Sequence, residues 1–313
     1  MNIVILDKDT LGDDIDITCI ENFAQVVSYP FTKTSETLQR VQNADIVITN
    51  KVVIDKEIMD NSDIKLICVA ATGMNNIDLA YASKKNITVK NVAGYSTASV
   101  VQTTFATALY FMNKIGYFDN YTKSDDGWVK SPVFTHLKNP YHDLSEKIWG
   151  IIGLGTIGKE VAKVARAFGA KVIYYSTSGI NRDNEFQRAS LDDLLKNSDI
   201  ISIHAPLNDR TNNLIDQQNL KYLKDSAILL NLGRGGIINE RDLADFIDRS
   251  NIQVALDVLE YEPIQAQNPL RFVKNQDRLL ITPHIAWASK ESRERLVEGI
   301  CKNIKEFMEG EKS

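Results

Sequence analysis

Cysteine is scarce in this chain, with Cys19, Cys68 and Cys301 the only three among 313 residues. They lie far apart and show no metal-ligand spacing, so no metal site is expected. Cys68 falls in an apolar run and reads as an inert core thiol; the set as a whole reads as reduced, as in a cytoplasmic protein. Basic clusters are missing too. A net charge of -5, with no Lys/Arg block, leaves no electrostatic footprint for nucleic acid. No apolar run approaches membrane-spanning length, and residues 1–7 carry no basic segment leading into a long apolar one. No repeat of 20–50 residues or low-complexity tract stands out. What is present, 43% hydrophobic and 25% charged residues, is the balance of a soluble globular protein. The length exceeds one ordinary core and suits two domains.

One stretch organises the rest: Lys147-Ile148-Trp149-Gly150-Ile151-Ile152-Gly153-Leu154-Gly155-Thr156-Ile157-Gly158. Its apolar run reads as a buried parallel strand and its last three glycines as a tight turn. Val161, Val164, Ala165 and Phe168 then supply the inward face of a helix. Strand, glycine turn and helix stand in the order of a dinucleotide-binding unit. The first glycine permits the turn, the second lets backbone approach a pyrophosphate, and the third lets helix and strand pack closely. The phosphates would rest on N–H groups at the helix start. A glycine motif alone competes with a plain structural turn; the flanking strand and helix favour the nucleotide.

Upstream, apolar bursts at residues 2–6, 25–29, 45–49 and 66–69 alternate with helix-like segments, the pattern of a parallel α/β layer that residues 88–90 close. After Val69 comes Ala70-Ala71-Thr72-Gly73-Met74-Asn75-Asn76-Ile77-Asp78, at the sheet edge where open α/β folds bind ligands. On these residues alone a βα turn with an Asx cap is the simpler reading. Residues 98–112 suit a buried helix connecting two domains. Residues 117–143 are loop-like, either a surface loop or an arm for dimer contact, with His136 and His142 as surface residues. Beyond Lys147, strands are expected at Ile148, Lys171, Ile200, Ala227, Gln253 and Leu279, as for two mononucleotide-binding halves. An amphipathic helix from Lys290 to about Met308 closes the chain. Because the glycine turn begins mid-chain, the nucleotide domain reads as inserted into the first, with the last helix returning to the N-terminal part and a hinge over a cleft.

Three polar elements follow strands of the second domain. In Asn231-Leu232-Gly233-Arg234-Gly235-Gly236 the glycines let the backbone turn tightly and leave the Arg234 fork to meet a carboxylate, or to form a salt bridge at a surface turn. The others are Asp257-Val258-Leu259-Glu260-Tyr261-Glu262-Pro263 and Thr282-Pro283-His284-Ile285-Ala286-Trp287. A histidine, an arginine and a carboxylate on one sheet edge are the makings of acid/base chemistry on an anionic substrate.

In this order, the motifs resemble the D-isomer-specific 2-hydroxyacid dehydrogenase family over nearly the whole chain. Within it, Ala71-Thr72-Gly73-Met74-Asn75-Asn76, Ala93-Gly94-Tyr95-Ser96-Thr97 and Thr282 to Ser289 look most like glycerate dehydrogenases, also called hydroxypyruvate reductases. The resemblance implies an α/β fold of two doubly wound parallel-sheet domains, a Rossmann dinucleotide-binding domain (98–285) inserted into a smaller flavodoxin-like substrate domain (1–97 and 286–313). It implies His284 as general acid/base, Glu262 as its orienting partner and Arg234 as the carboxylate ligand. Thr72, Gly73 and Met74 become substrate contacts, which overturns the plain-turn reading. Gly153, Gly155, Thr156, Ile157 and Gly158 would line the pyrophosphate, and His204, Pro206, Thr211, Asn231 and Asp257 the nicotinamide side. Thr104, Ser176, Thr177, Ala205, Gly233, His284 and Ala286 complete the implied cofactor set.

The implied reaction reduces a small 2-keto acid, hydroxypyruvate or glyoxylate ahead of pyruvate and bulkier acids, to the D-2-hydroxy acid. Hydride comes from the nicotinamide while protonated His284 supplies the oxygen's proton. A carboxylate beside a histidine favours the imidazolium that reduction needs. NAD is the expected cofactor, with one departure. The second strand ends Tyr174-Tyr175-Ser176-Thr177-Ser178, where NAD-selective relatives place an Asp, so NADP stays open, with Arg182 the nearest cation. A cytoplasmic homodimer through the 98–112 helix and the 117–143 arm is expected, with no nucleic-acid or membrane partner. Glu262 speaks against formate dehydrogenases, which pair the histidine with Gln. The short stretch after His284 speaks against long, regulated phosphoglycerate dehydrogenases. A D-lactate dehydrogenase, and a corepressor-like dinucleotide sensor without turnover, are the alternatives.

Overall fold

Segments such as Ile46–Thr49, Leu66–Val69 and Ile200–Ile203 are buried along their whole length, as strands covered on both faces must be. In the computed structural model, which describes residues 1–180 and 182–310, these runs build two all-parallel sheets. The chain divides into two compact units, Met1–Ser96 with the segment from Ala288, and Thr97–Trp287. Residues 311–313, at the end of the expected substrate domain, lie outside the described residues.

The first unit runs β1 (Asn2–Ile5), α1 (Thr18–Glu21), β2 (Gln25–Ser28), α2 (Thr37–Val41), β3 (Ile46–Thr49), α3 (Lys56–Asp60), β4 (Leu66–Val69), α4 (Leu79–Lys84) and β5 (Thr88–Asn91). Its sheet order, β2-β1-β3-β4-β5, is that of flavodoxin-like folds. Asp55 and Asp78 start α3 and α4 by accepting from the Ile58 and Tyr81 nitrogens, each satisfying a donor the helix cannot.

The second unit contains α5 (Thr97–Asn113), α6 (Ile115–Lys123), β6 (Ile148–Ile152), α7 (Thr156–Ala167), β7 (Lys171–Tyr175), β8 (Gln187–Arg188), α8 (Leu191–Asn197), β9 (Ile200–Ile203), α9 (Gln217–Leu220), β10 (Ile228–Asn231), α10 (Glu240–Arg249), β11 (Gln253–Leu256) and β12 (Leu279–Ile281). The order β12-β11-β10-β9-β6-β7-β8 makes seven strands where six are expected. The addition, β8, is two exposed polar residues, too short for any apolar pattern, yet it takes the third place of the Rossmann order. α5 packs in the core of this unit, its Phe105, Ala108 and Phe111 clustered with Trp149 and Val161. The start of the 117–143 stretch is helical in α6, because Tyr117, Phe118 and Tyr121 gather around His136. Tyr117 Oη and His136 Nε2 lie 2.8 Å apart, so His136 is half-buried while His142 is exposed.

The last helix, α11 (Lys290–Gly310), packs on α1, β4 and β5, with Leu296, Val297, Ile300 and Ile304 buried. This packing corrects the reading of three reduced thiols. Cys19 on α1 and Cys301 on α11, 282 residues apart in sequence, stand with Cα atoms 6.2 Å apart and form a disulfide. Cys68 is buried, and burial pushes its thiol up to about 12, as an inert core thiol requires.

Candidate active site

Six strands of the second sheet, β6, β7, β9, β10, β11 and β12, end in one row. Tyr175 pairs with Ile152, Ile152 with Ile203, Ile203 with Asn231, Asn231 with Leu256, and Leu256 with Ile281. The loops that follow therefore start level, at the carboxyl edge where ligands bind.

At β6 the chain turns through Gly153, whose φ of +93° suits glycine. A Cβ there would stand 2.9 Å from the Ala205 nitrogen, so the loop after β9 comes up against this turn. It does so where the strand order reverses, between β6 and β9. Gly158 packs α7 onto the turn, since its Cβ would meet the Gly153 oxygen at 2.2 Å. Gly155 is the opposite case: nothing lies within 4 Å of where its Cβ would stand. It begins α7 without a side-chain cap. An uncapped helix start beside open space fits the pyrophosphate of a dinucleotide.

After β10, Asn231 stitches the turn, accepting from the Gly233 nitrogen (3.1 Å) and donating to the Arg234 carbonyl (2.9 Å). Half-buried Arg234 donates through Nη1 to the Gly233 carbonyl at 2.8 Å. At Gly235 a Cβ would lie 1.8 Å from the Leu259 oxygen. The Arg234 turn is thus flush against the loop after β11. Glu240, at the start of α10, braces that loop by accepting from the Glu260 nitrogen and Asn268 Nδ2, both at 2.6 Å. Glu262, joined to Pro263 by a cis peptide, accepts from the Leu259 nitrogen at 3.1 Å with one oxygen. Its other oxygen lies 2.6 Å from His284 Nδ1.

His284 sits in the loop after β12 with φ +54°. A residue with a side chain holds this left-handed conformation only where its surroundings over-determine it. Asp257 supplies the constraint: it accepts from Thr282 Oγ1 (2.6 Å) and from the Ile285 and Ala286 nitrogens (2.8 Å each). The loop is clamped on both sides of the histidine. Burial raises the Asp257 carboxyl above its usual range, against the pull of these donors and of nearby His284. The structure thus joins Glu262 and His284 directly and places Arg234 on the adjacent strand end.

The remaining residues fall into distinct settings. Thr104 is wholly buried in α5, its hydroxyl donating to the Val100 carbonyl. Thr211 closes the loop after β9 by donating to the Pro206 carbonyl at 2.7 Å and accepting from the Asn208 nitrogen at 2.8 Å. His204 Nε2 lies 3.0 Å from Ser202 Oγ, and its enclosed Nδ1 has no partner among the described residues. Burial pushes the His204 pKa down to about 3. Ser176, Ala205 and Ala286 are buried at the edge, Thr177 is half-buried and Pro206 exposed. In the first unit, Thr72 is exposed and Gly73 and Met74 half-buried, in a loop that Asn91 ties through the Thr72 carbonyl (2.6 Å) and Asp78 caps. Glu240 and Asn268 are absent from the sequence-based site. An acidic residue in a first helical turn is ordinary, and nothing in the sequence marks this one as buried.

Residues 105–286 match the sequence model of the D-isomer specific 2-hydroxyacid dehydrogenase NAD binding domain. The chain belongs to the D-isomer-specific 2-hydroxyacid dehydrogenase family. It is 37% identical to the hydroxypyruvate reductase of Blautia hydrogenotrophica, over 99% of this chain and 98% of that one. Among solved structures it is similar to an acyclic imino acid reductase in complex with NADPH and D-Arg (TM-score 0.86, 28% identity, 99% and 98% of the two chains). It is also similar to the Aquifex aeolicus D-lactate dehydrogenase complexed with NAD and lactic acid (TM-score 0.80, 25% identity, 99% and 96% covered). As a D-2-hydroxyacid dehydrogenase, the chain is an oxidoreductase acting on the CH–OH group, with NAD(H) as cofactor and a small 2-hydroxy or 2-keto acid as substrate.

Proposed function

We propose that this dehydrogenase reduces hydroxypyruvate or glyoxylate to the D-2-hydroxy acid, with His284 as the proton donor. The observation that carries the reading is the 2.6 Å contact of Glu262 with His284 Nδ1. With Nδ1 held by the carboxylate, Nε2 is the atom that gives its proton to the carbonyl oxygen in reduction and takes it back in oxidation. Arg234 binds the substrate carboxylate, its planar fork matching two oxygens. Thr72, Gly73 and Met74 are further substrate contacts. When bound, the reduced nicotinamide supplies the hydride.

Gly153, Gly155, Thr156, Ile157 and Gly158 hold the pyrophosphate, and Ser176 and Thr177 the adenosine ribose. His204, Ala205, Pro206, Gly233, Asp257 and Ala286 line the rest of the dinucleotide. Thr104, Thr211 and Asn231, whose polar atoms are bonded internally, act by shaping the surrounding backbone. The test is a panel of 2-keto acids followed by loss of reduced-nicotinamide absorbance, with NADH and NADPH in parallel. Highest kcat/KM on hydroxypyruvate or glyoxylate supports the reading. Preference for pyruvate would make the enzyme a lactate dehydrogenase, and no turnover on any acid would leave only a binding protein.

A homodimer is part of the proposal. Val129, Phe134 and Leu137 are 76%, 88% and 80% exposed within one stretch of the second unit, an apolar surface that a partner copy would cover. A monomer-sized species in sedimentation at micromolar concentration would rule it out. We also place the enzyme in the cytoplasm, where reduced nicotinamide is supplied, and the Cys19–Cys301 pair provides the check argued below.

A further inference from the structure

In a dinucleotide fold the adenosine ribose is read at the end of the strand that follows the glycine turn. An acidic residue there binds the ribose hydroxyls, or a nearby arginine receives a 2′-phosphate. Here that strand is β7, and its edge is Ser176-Thr177-Ser178, with no carboxylate among the three. Ser176 is 3% exposed, and its Oγ lies 3.5 Å from Ser178 Oγ. The Ser176 carbonyl accepts from the Gly179 nitrogen at 3.1 Å, folding the segment into a turn.

A cation reaches this turn from elsewhere. Arg210, in the loop after β9 and 32 residues from Ser178, donates through Nη1 to the Ser178 carbonyl at 3.1 Å. Its own backbone is fixed as well: the Arg210 nitrogen donates to Asn208 Oδ1 at 3.0 Å, in the loop that Thr211 closes. The guanidinium is therefore located from both ends, against the serine turn, and β7 and β9 both pair with the intervening β6.

We propose that Arg210 is the specificity-determining residue that receives the 2′-phosphate of NADPH, so that this dehydrogenase accepts the phosphorylated dinucleotide beside NADH. The inference rests on the dinucleotide reading of the glycine turn and adds to it a cation contributed by a different loop. The guanidinium makes charge-assisted bonds to phosphate oxygens. The hydroxyls of Ser176 and Ser178 can donate to the same group, and none of the three edge residues repels it. An aspartate at position 176 would reverse that balance.

The test is equilibrium binding to the whole protein, read by quenching of tryptophan fluorescence, with NADH and NADPH titrated into wild type, Arg210→Ala and Arg210→Lys. The expected result is that Arg210→Ala weakens NADPH on the order of tenfold or more and NADH by less than about threefold. Arg210→Lys keeps the charge but not the fork, and falls between. In competition, 2′,5′-ADP loses affinity for Arg210→Ala in step with NADPH, whereas 5′-AMP does not. Equal loss for both dinucleotides, or no loss for NADPH, overturns the assignment while leaving the dinucleotide site intact. If wild type fails to bind NADH, the reading of the glycine turn falls and the assignment goes with it.

Discussion

Glu262 uses its two oxygens on two N–H donors, the Leu259 nitrogen and His284 Nδ1. Glu262→Gln preserves the size of the side chain but offers one acceptor and one donor. Either the Leu259 bond is lost or the amide faces Nδ1 and forces the other tautomer on the ring. In both cases the positive charge on the imidazole loses its counter-charge. We expect kcat for keto-acid reduction to fall on the order of a hundredfold. A kcat equal to that of wild type would remove Glu262 from the mechanism. His204 provides a separate acid-linked effect. Its folded pKa of about 3 lies below the ordinary value of 6.5, so between these values the unfolded chain takes up a proton that the folded one does not. Stability contributed by the neutral ring is therefore present above pH 6.5 and lost as pH falls toward 3. His204→Gln should flatten this loss by up to about 1.4 kcal/mol per pH unit, measured as urea-unfolding free energies across that range. Parallel pH dependences for the two proteins would contradict it.

At the scale of elements, three loops on neighbouring strands β10, β11 and β12 depend on one another. The Gly235 backbone lies on Leu259, Glu262 reaches His284, and Asp257 at the end of β11 clamps the loop after β12. In Asp257→Asn one oxygen becomes an amide that cannot accept, so a buried donor is left unsatisfied at a cost of about 1–3 kcal/mol. Because burial raises the Asp257 pKa, its contribution favours the fold at acid pH and is lost as pH rises through the folded value. The variant lacks that limb, so its deficit should be largest in acid. Its kcat should fall as the His284 loop loosens, and wild-type kcat with lowered stability would show that the clamp is structural only. These dependencies also mark how far the sequence is legible. Strands buried on both faces announce themselves as apolar runs, and the close packing expected of the third glycine is found at Gly158. Two-residue β8 has no period to read. Glu240 and Arg210 look in sequence like any solvated charge, and Asp257, though its motif marks it, gives no sign of the loop it clamps, because their partners lie on other loops and only the shared edge brings them together.

At the scale of the molecule, the Cys19–Cys301 link joins the beginning of the first unit to its end, across a sequence separation of 282. Closing so long a loop restricts the unfolded chain, and links of this kind contribute about 2–4 kcal/mol. Because α11 also packs on α1, β4 and β5, the fold should persist when the link is cut and its fluctuations increase. Reduction, or Cys301→Ser, is expected to speed hydrogen exchange in α1 and α11 while leaving β6 and α7 in the second unit unchanged. Unaltered exchange in α11 would mean that packing alone holds that helix. The same pair tests where the enzyme resides, because a reducing compartment keeps such thiols open. An alkylating reagent added at lysis should label both Cys19 and Cys301 in a cytoplasmic enzyme, the bond then closing only after extraction. Protection of both cysteines from the reagent, reversed by prior reduction, would remove the cytoplasmic assignment or require an oxidant that acts on this pair inside the cell.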